Sequence, residues 1–200
     1  VISKSGVMGD RGLIRAHLPG SVVELASGWA EVEWIEPYVA PKFVNDVAVW
    51  TNKMNATNVW FDLGLTGTGQ VIAVCDTGLD TGNTNTLHRD FTGRVAWAQA
   101  LGRPGNWSDT HSHGTHVSGS VLGSGVSSTG RYKGVAYEAR LVFQSVLDSY
   151  GGLGGLPYDL NDLFRAAYTN GARIHSDSWG SSVAGEYTVD SQQVDQFVWS

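Results

Sequence analysis

Cysteine is almost absent from this chain: one residue, Cys75, in 200. A lone thiol closes no intramolecular disulfide, so the fold must be held by its core. Low cysteine suits a reducing compartment and also many bacterial secreted proteins stabilised in other ways, so it leaves the compartment open. Charge is sparse as well, at 16% of residues with a net of −6 and no run of one sign. With no basic footprint, nucleic acid is not expected as a partner. No apolar run approaches the roughly 20 residues that span a bilayer, so no membrane partner is expected. The chain opens on Val1, with neither a starting Met nor a basic-then-apolar leader, and reads as the interior of something longer.

What is present is globular. Hydrophobic residues make up 42%, which is enough for one domain with a proper core, or for a domain with a small appendage. Twenty-six glycines and eight tryptophans promise tight turns and aromatic walls.

Residues 1–44 read as a small β-rich unit. Leu13–Leu18, Ser21–Leu25 and Ala30–Ile35 are short, partly alternating runs separated by Pro19-Gly20 and Gly28. Pro37 and Pro41 mark an extended linker, because a residue before proline avoids the helical region. Between Asn45 and Asp62, Val47, Val49, Trp50 and Met54 recur with a weak helical period. Gly69-Gln-Val-Ile-Ala-Val-Cys75 differs in kind. It is a nearly unbroken apolar run ended by Asp76-Thr-Gly78, as expected of a strand covered on both faces in a parallel sheet. Arg140–Leu147 and Ala172–Ser176 read as two more strands. Between them Asp159 can cap a helix Leu160–Tyr168 that stops at Asn170-Gly171. A last helix begins near Asp190, with Val194, Phe197 and Val198 on one side. The alternation predicts an α/β domain with a mainly parallel sheet and right-handed crossovers.

Three of the six histidines fall in His111-Ser-His-Gly-Thr-His116. The spacing resembles the His-x-His-x-Asp-His run of metallo-β-lactamase-type hydrolases, which is the basis of a zinc reading. Thr115 stands where that run needs a carboxylate, and His88, Asp90 and His175 are scattered along the chain. A surface position in a polar loop accounts for His111. His116 falls within the following helix, on its packed or rim face.

His113 is placed for a different task. A helix reads from there through Leu122, with Gly119 and Gly123 spaced to let its backbone approach a neighbour. At a helix N-terminus the positive dipole end opposes a resting positive charge, and a general base must be neutral. An imidazole also needs an orienting carboxylate. Asp76 ends a buried parallel strand, the edge at which sites in α/β sheets assemble.

Val-Cys-Asp-Thr-Gly ending a strand, followed by His-Gly-Thr-His-Val-Ser-Gly opening a helix, resembles the subtilisin-like serine proteases (subtilases). Ser178-Trp-Gly180 resembles the family's Ser-x-Gly segment that pairs with substrate backbone, and Asp148–Gly155 fits the glycine-rich edge facing it. The likeness runs from about Gly69 onward and is strongest to the large alkaline branch, whose members commonly carry a C-terminal β-domain. Glu33–Tyr38 resembles the last strand and exit of a subtilase propeptide.

The resemblance implies a three-layer fold, with residues 1–44 as the end of a propeptide and linker and 45–200 as the first part of a catalytic domain. It also implies a secreted, monomeric serine endopeptidase made as a zymogen, with polypeptide substrates and the propeptide as intramolecular inhibitor. Asp76 and His113 would be catalytic. Gly151, Gly152, Leu153, Gly154 and Gly155, with Ser178, Trp179 and Gly180, would bind substrate. No cofactor enters such chemistry, and structural calcium is compatible with it, but no loop has a ligand pattern dense enough to assign. The family's Gly-Thr-Ser-Met-Ala and Ala-Gly-Asn motifs do not occur in the 200 residues. Gly123-Ser-Gly125 lacks the spacing of a nucleophile turn, and Gly105-Asn106 lies in a Pro-Gly loop. The chain therefore reads as truncated before its serine, and these 200 residues alone are expected to turn over no peptide. An inert subtilase-like binding module is the alternative. Among other residues, Cys75 is expected to be a core thiol, Asp80 to serve turn geometry or a bond to the site, and His175 to be a satisfied core histidine. Asp177 stands where Asn often precedes the Ser-x-Gly.

Overall fold

The apolar run after Gly69 forms strand β4 (Val71–Asp76), whose residues from Ile72 onward are all buried. In the computed structural model, residues 2–8, 10–39, 42–43 and 56–199 are described. The chain divides into two compact units: Val1–Ala40 with Pro157–Leu163 and Ser181–Ser200, and Pro41–Leu156 with Phe164–Gly180.

The second unit holds a four-stranded parallel sheet. Its other strands are β5 (Val95–Ala100), β6 (Arg140–Ser145) and β7 (Ile174–Asp177), in the spatial order β5-β6-β4-β7. Alternate residues face opposite sides of the sheet. Ile72, Val74, Leu141 and Phe143 pack with Val117 and Leu122 of helix α3 (His113–Leu122) on one side. Ala73 and Val142 pack with Ala167 of helix α4 (Leu160–Thr169) on the other. Helix, sheet and helix make the three layers expected, with the central strands β4 and β6 buried on both faces and the edge strand β7 exposing Ile174. Asp159 caps α4 through its carboxylate, which accepts Asn161 N–H at 2.9 Å. Helix α2 (Ala56–Leu63) ends the segment expected to be helical, while Val47, Val49, Trp50 and Met54 lie outside the described residues. Strand β3 (Lys42–Phe43) pairs antiparallel with β8 (Trp179–Gly180).

Three expectations need correction. Ser21–Leu25 is part of helix α1 (Gly20–Ala26), and no strand forms over Ala30–Ile35. Val22 and Val23 suggested a strand, but Pro19-Gly20 starts a turn there, and Val22, Val23 and Ala26 cover one helical face. The first unit's strands are β1 (Ile2–Met8) and β2 (Arg11–Ala16), paired antiparallel. In helix α5 (Val189–Trp199), the residue fully buried is Gln193, whereas Val194 and Val198 are exposed. The Gln193 amide accepts Leu160 N–H at 3.0 Å and donates to the Tyr158 carbonyl, which accounts for burial of a polar side chain on that face. Strand β5 escaped the sequence reading because alanines occupy every second position, and pairing with β6 overrides their weak strand preference.

Candidate active site

Asp76 is the last residue of β4, level with Ser145 at the end of β6, so it stands at the carboxyl edge of the sheet. Its side chain is fully buried. Oδ1 accepts the Thr77 N–H at 2.7 Å, and lies 3.2 Å from the Thr77 hydroxyl oxygen and 2.7 Å from His113 Nδ1. Burial pushes the carboxyl above its ordinary pKa, and the bonds from His113 and Thr77 pull it part of the way back. With Asp76 ionised, Nδ1 must donate, so the ring's lone pair sits on Nε2.

His113 is the first residue of α3 and its side chain is 12% exposed. Two glycines allow the strand end and the helix start to meet. A Cβ on Gly114 would overlap the Gly78 carbonyl oxygen, and one on Gly78 would overlap the Ser108 carbonyl. That is the physical content of Asp-Thr-Gly and His-Gly-Thr. The close approach expected at Gly119 and Gly123 is made by the backbone of Gly134: a Cβ on Gly134 would lie 2.5 Å from Gly123 N and 2.7 Å from the Gly119 carbonyl oxygen, and Gly134 N–H donates to the Gly123 carbonyl at 2.8 Å. A Cβ on Gly119 itself would meet only the Phe91 ring, at 4.0 Å.

The three neighbouring histidines do not converge. His113 turns Nδ1 to Asp76, the His111 ring stands edge-on to His113 with centroids 6.2 Å apart, and His116 is exposed. Among the described residues no group of three or more His, Cys, Asp and Glu side chains is assembled to hold a metal ion. Asp90, Asp109 and Asp148 all turn carboxylate oxygens toward main-chain N–H groups, such as Ser127 N–H on Asp90 at 2.9 Å.

The glycine-rich segment folds around Asp148. Asp148 Oδ1 accepts N–H from Tyr150 at 2.8 Å and from Gly152 at 2.9 Å, and Oδ2 accepts from Gly154 at 3.1 Å. These bonds hold its carboxyl below the ordinary range. Gly151 takes a left-handed φ of 82°, Leu153 is half-buried, and Gly155 N–H donates to the Val146 carbonyl at 2.9 Å. The segment is a hydrogen-bonded turn rather than a regular strand. Ser178, Trp179 and Gly180 are half-buried, and the Trp179 indole donates to the Cys75 carbonyl at 3.0 Å. The edge formed by Trp179 and Gly180 is already paired, by Phe43 and Lys42.

The remaining residues are structural in position. Cys75 is wholly buried, which pushes its thiol well up, with Asp177 and Asp76 adding in the same direction. Asp80 takes a φ of 45° and its carboxylate accepts His88 N–H at 2.5 Å, so it serves the turn. His175 lies between Asp177 Oδ2 at 3.1 Å and Gln144 Oε1 at 2.9 Å. Thr77, Asp109 and Asp148 were missed as organisers of the site. Only the Asp-Thr-Gly and Asp-x-x-x-His spacings hinted at the first two.

The model of the Subtilase family matches residues 67–200. The chain belongs to the Subtilase family. Serine protease AprX of Bacillus subtilis (strain 168) is 40% identical over 88 residues, covering 44% of this chain and 19% of that protein. The serine protease/ABC transporter B family protein tagA of Dictyostelium discoideum is 24% identical over 195 residues, covering 90% of this chain. The chain spans only 11% of that relative's length. Among solved structures, the CspB protease of Clostridium perfringens superposes with a TM-score of 0.54 at 19% identity, over 70% of this chain and 35% of that one. This likeness establishes a shared subtilisin-like α/β fold.

Proposed function

We propose that this subtilase chain is part of a secreted serine endopeptidase, made as a zymogen, in which Asp76 and His113 are two members of an Asp-His-Ser triad. The observation that carries this reading is the 2.7 Å contact between His113 Nδ1 and the buried Asp76 carboxylate. The serine comes from elsewhere in the whole protein. His113 Nε2 takes the serine proton as the hydroxyl attacks the peptide carbonyl, then delivers it to the leaving amine, while Asp76 offsets the imidazolium charge. The proton only moves between protein and substrate, so no metal or other cofactor enters the step. Among the described residues no helix is long and apolar enough to cross a membrane. We place the protein outside the cell, as a monomer acting on polypeptides. A broad chromogenic peptide and an active-site phosphonate, applied to the full-length chain, test the reading. Turnover and labelling at a serine are expected. A full-length chain that binds peptides but neither cleaves nor labels is an inert binding module.

In this reading Ser178–Gly180 takes substrate as an added strand, opposite Gly151–Gly155, so main-chain bonds dominate and side-chain preference is broad. The pairing of Lys42 and Phe43 with β8 supports this use of the edge by an extended segment. It also supports residues 1–44 as a propeptide that inhibits by occupying the same edge. The Val44–Asn45 junction, our choice of processing site, lies outside the described residues. N-terminal sequencing of active enzyme is expected to begin between residues 40 and 47, and a mature chain starting upstream of Trp34 overturns the assignment.

Asp148 tests the opposite side of the cleft. In Asp148→Asn one of the two oxygens becomes an amide that cannot accept Gly154 N–H or its counterpart, so the turn loosens. KM for an extended peptide should rise about fivefold, the equivalent of one hydrogen bond. A short activated ester that does not reach Gly151–Gly155 should be cleaved as before. The carboxyl's pKa is depressed, so its bonds are intact above the ordinary value of 3.8 and are lost only as pH falls through the lower folded value. The Asp148 contribution to KM should therefore be constant at every pH above 3.8.

A further inference from the structure

We infer that Asp109 is a positioning residue of this site: its carboxylate fixes the entry into α3 and so aims the His113 ring at Asp76. The inference rests on the triad reading above. Asp109 lies four residues before His113, in the loop packed against Gly78. Its Oδ1 accepts the Thr77 hydroxyl at 3.0 Å, His111 N–H at 3.0 Å and Ser112 N–H at 2.9 Å. Its Oδ2 accepts Thr115 N–H at 2.8 Å and the Thr115 hydroxyl at 2.6 Å. Five donors from three places in the fold meet on one carboxylate: the residue after Asp76, the residues before His113, and the first turn of α3.

Two details tie this hub to His113 rather than to the loop alone. Ser112, the residue before His113, sits at φ 70°, a left-handed conformation that a serine leaves unless something holds it. Its N–H is held by Asp109. Thr77 is the second link. Its hydroxyl accepts Gly114 N–H at 2.8 Å and has a single proton to give, with Asp109 at 3.0 Å nearer than Asp76 at 3.2 Å. Thr77 N–H meanwhile donates to Asp76. Asp109 therefore orients the residue that joins the Asp76 carboxylate to the helix carrying His113. Further support comes from the other side, where Asp109 N–H donates to the Asp80 carbonyl and Thr115 Oγ1 accepts Asp80 N–H, each at 2.8 Å.

Only a carboxylate satisfies both sets of donors. In Asp109→Asn one oxygen becomes an NH2 facing donors, either Thr77, His111 and Ser112 or the pair from Thr115. Loss of either set frees the entry to α3 and lets the imidazole drift from its line to Asp76. A misplacement of about 1 Å costs on the order of 10²-fold in turnover.

The test uses the full-length enzyme and a peptide substrate. In Asp109→Asn, kcat is expected to fall about 10²-fold while KM changes less than about twofold. The downfield proton NMR signal of the His113 Nδ1–H bonded to Asp76 should move upfield or vanish. Adding Ser112→Gly, which removes the cost of the left-handed conformation, should recover about a tenth of the wild-type kcat. If Asp109→Asn does not fold, Thr115→Val, which removes one hydroxyl from the hub, should still give a smaller loss in kcat with the same movement of the NMR signal. A folded Asp109→Asn with kcat within about threefold of wild type, or a lower kcat with the signal unmoved, overturns the inference. So does a Thr115→Val enzyme equal to wild type. If the wild-type enzyme is active and His113→Ala abolishes that activity, any such failure belongs to Asp109 alone. If wild type itself is inactive, the triad reading has failed.

Discussion

His113→Ala in the full-length enzyme should lower turnover of a peptide substrate by about 10⁶-fold, leaving only what binding and oxyanion stabilisation supply. The size follows from the geometry. His113 is the group bonded to the buried carboxylate, and no other histidine is placed to replace it: His111 stands edge-on at 6.2 Å and His116 is exposed. The ring is packed at the start of α3, where Gly114 and Thr115 N–H already have Thr77 and Asp109 as acceptors. Truncation should therefore leave the helix in place. His111→Ala should change turnover little. An equal effect of the two variants in steady-state assays would reinstate the zinc reading.

Asp76→Asn should lower turnover by about 10⁴-fold. Two orientations are open to the amide, and both are costly. With its oxygen kept toward Thr77 N–H, the His113 Nδ1 proton is retained but the negative charge that stabilises the imidazolium is gone. Turned the other way, the NH2 meets the Thr77 N–H and forces the ring into the tautomer with the proton on Nε2. The two residues act as a unit, so Asp76→Asn combined with His113→Ala should be no slower than His113→Ala alone. A loss under about tenfold for the single Asn variant removes Asp76 from the role.

Stability should move the opposite way. Burial raises the folded pKa of Asp76 above its unfolded value, so its favourable contribution is complete below the unfolded pKa. That contribution is lost as pH rises through the folded value, and at neutral pH the ionised, buried carboxylate opposes folding. The Asn variant should accordingly melt at the same temperature as wild type or higher at pH 7. A clear drop would mean that the pair stabilises the fold instead of burdening it.

The sequence by itself determined where the strand carrying Asp76 ends and where the helix carrying His113 begins. Both are local signals: an unbroken apolar run needs two covered faces, and Asp-Thr-Gly and His-Gly-Thr mark its end and the helix start. Why glycine is needed at 78 and 114 is a tertiary matter, since a Cβ there would strike the distant backbone of Ser108 and Gly78. Family membership was legible because those motifs are short and contiguous. Helix α1 was not, because two valines favour a strand until Pro19-Gly20 and the burial of Ala26 decide otherwise. Strand β5 needed β6 beside it, and Gln193 is buried because Leu160 and Tyr158, more than thirty residues earlier, offer it hydrogen bonds. The organising role of Asp109 also became visible only in three dimensions. One of its partners, Thr77, is thirty-two residues away, and no local period or propensity records a carboxylate that closes a junction between a strand end and a helix start. Elements written by hydrophobic pattern and motif within a few residues are readable along the chain, whereas buried polar partnerships and close backbone approaches form between distant segments and exist only once the fold has brought them together.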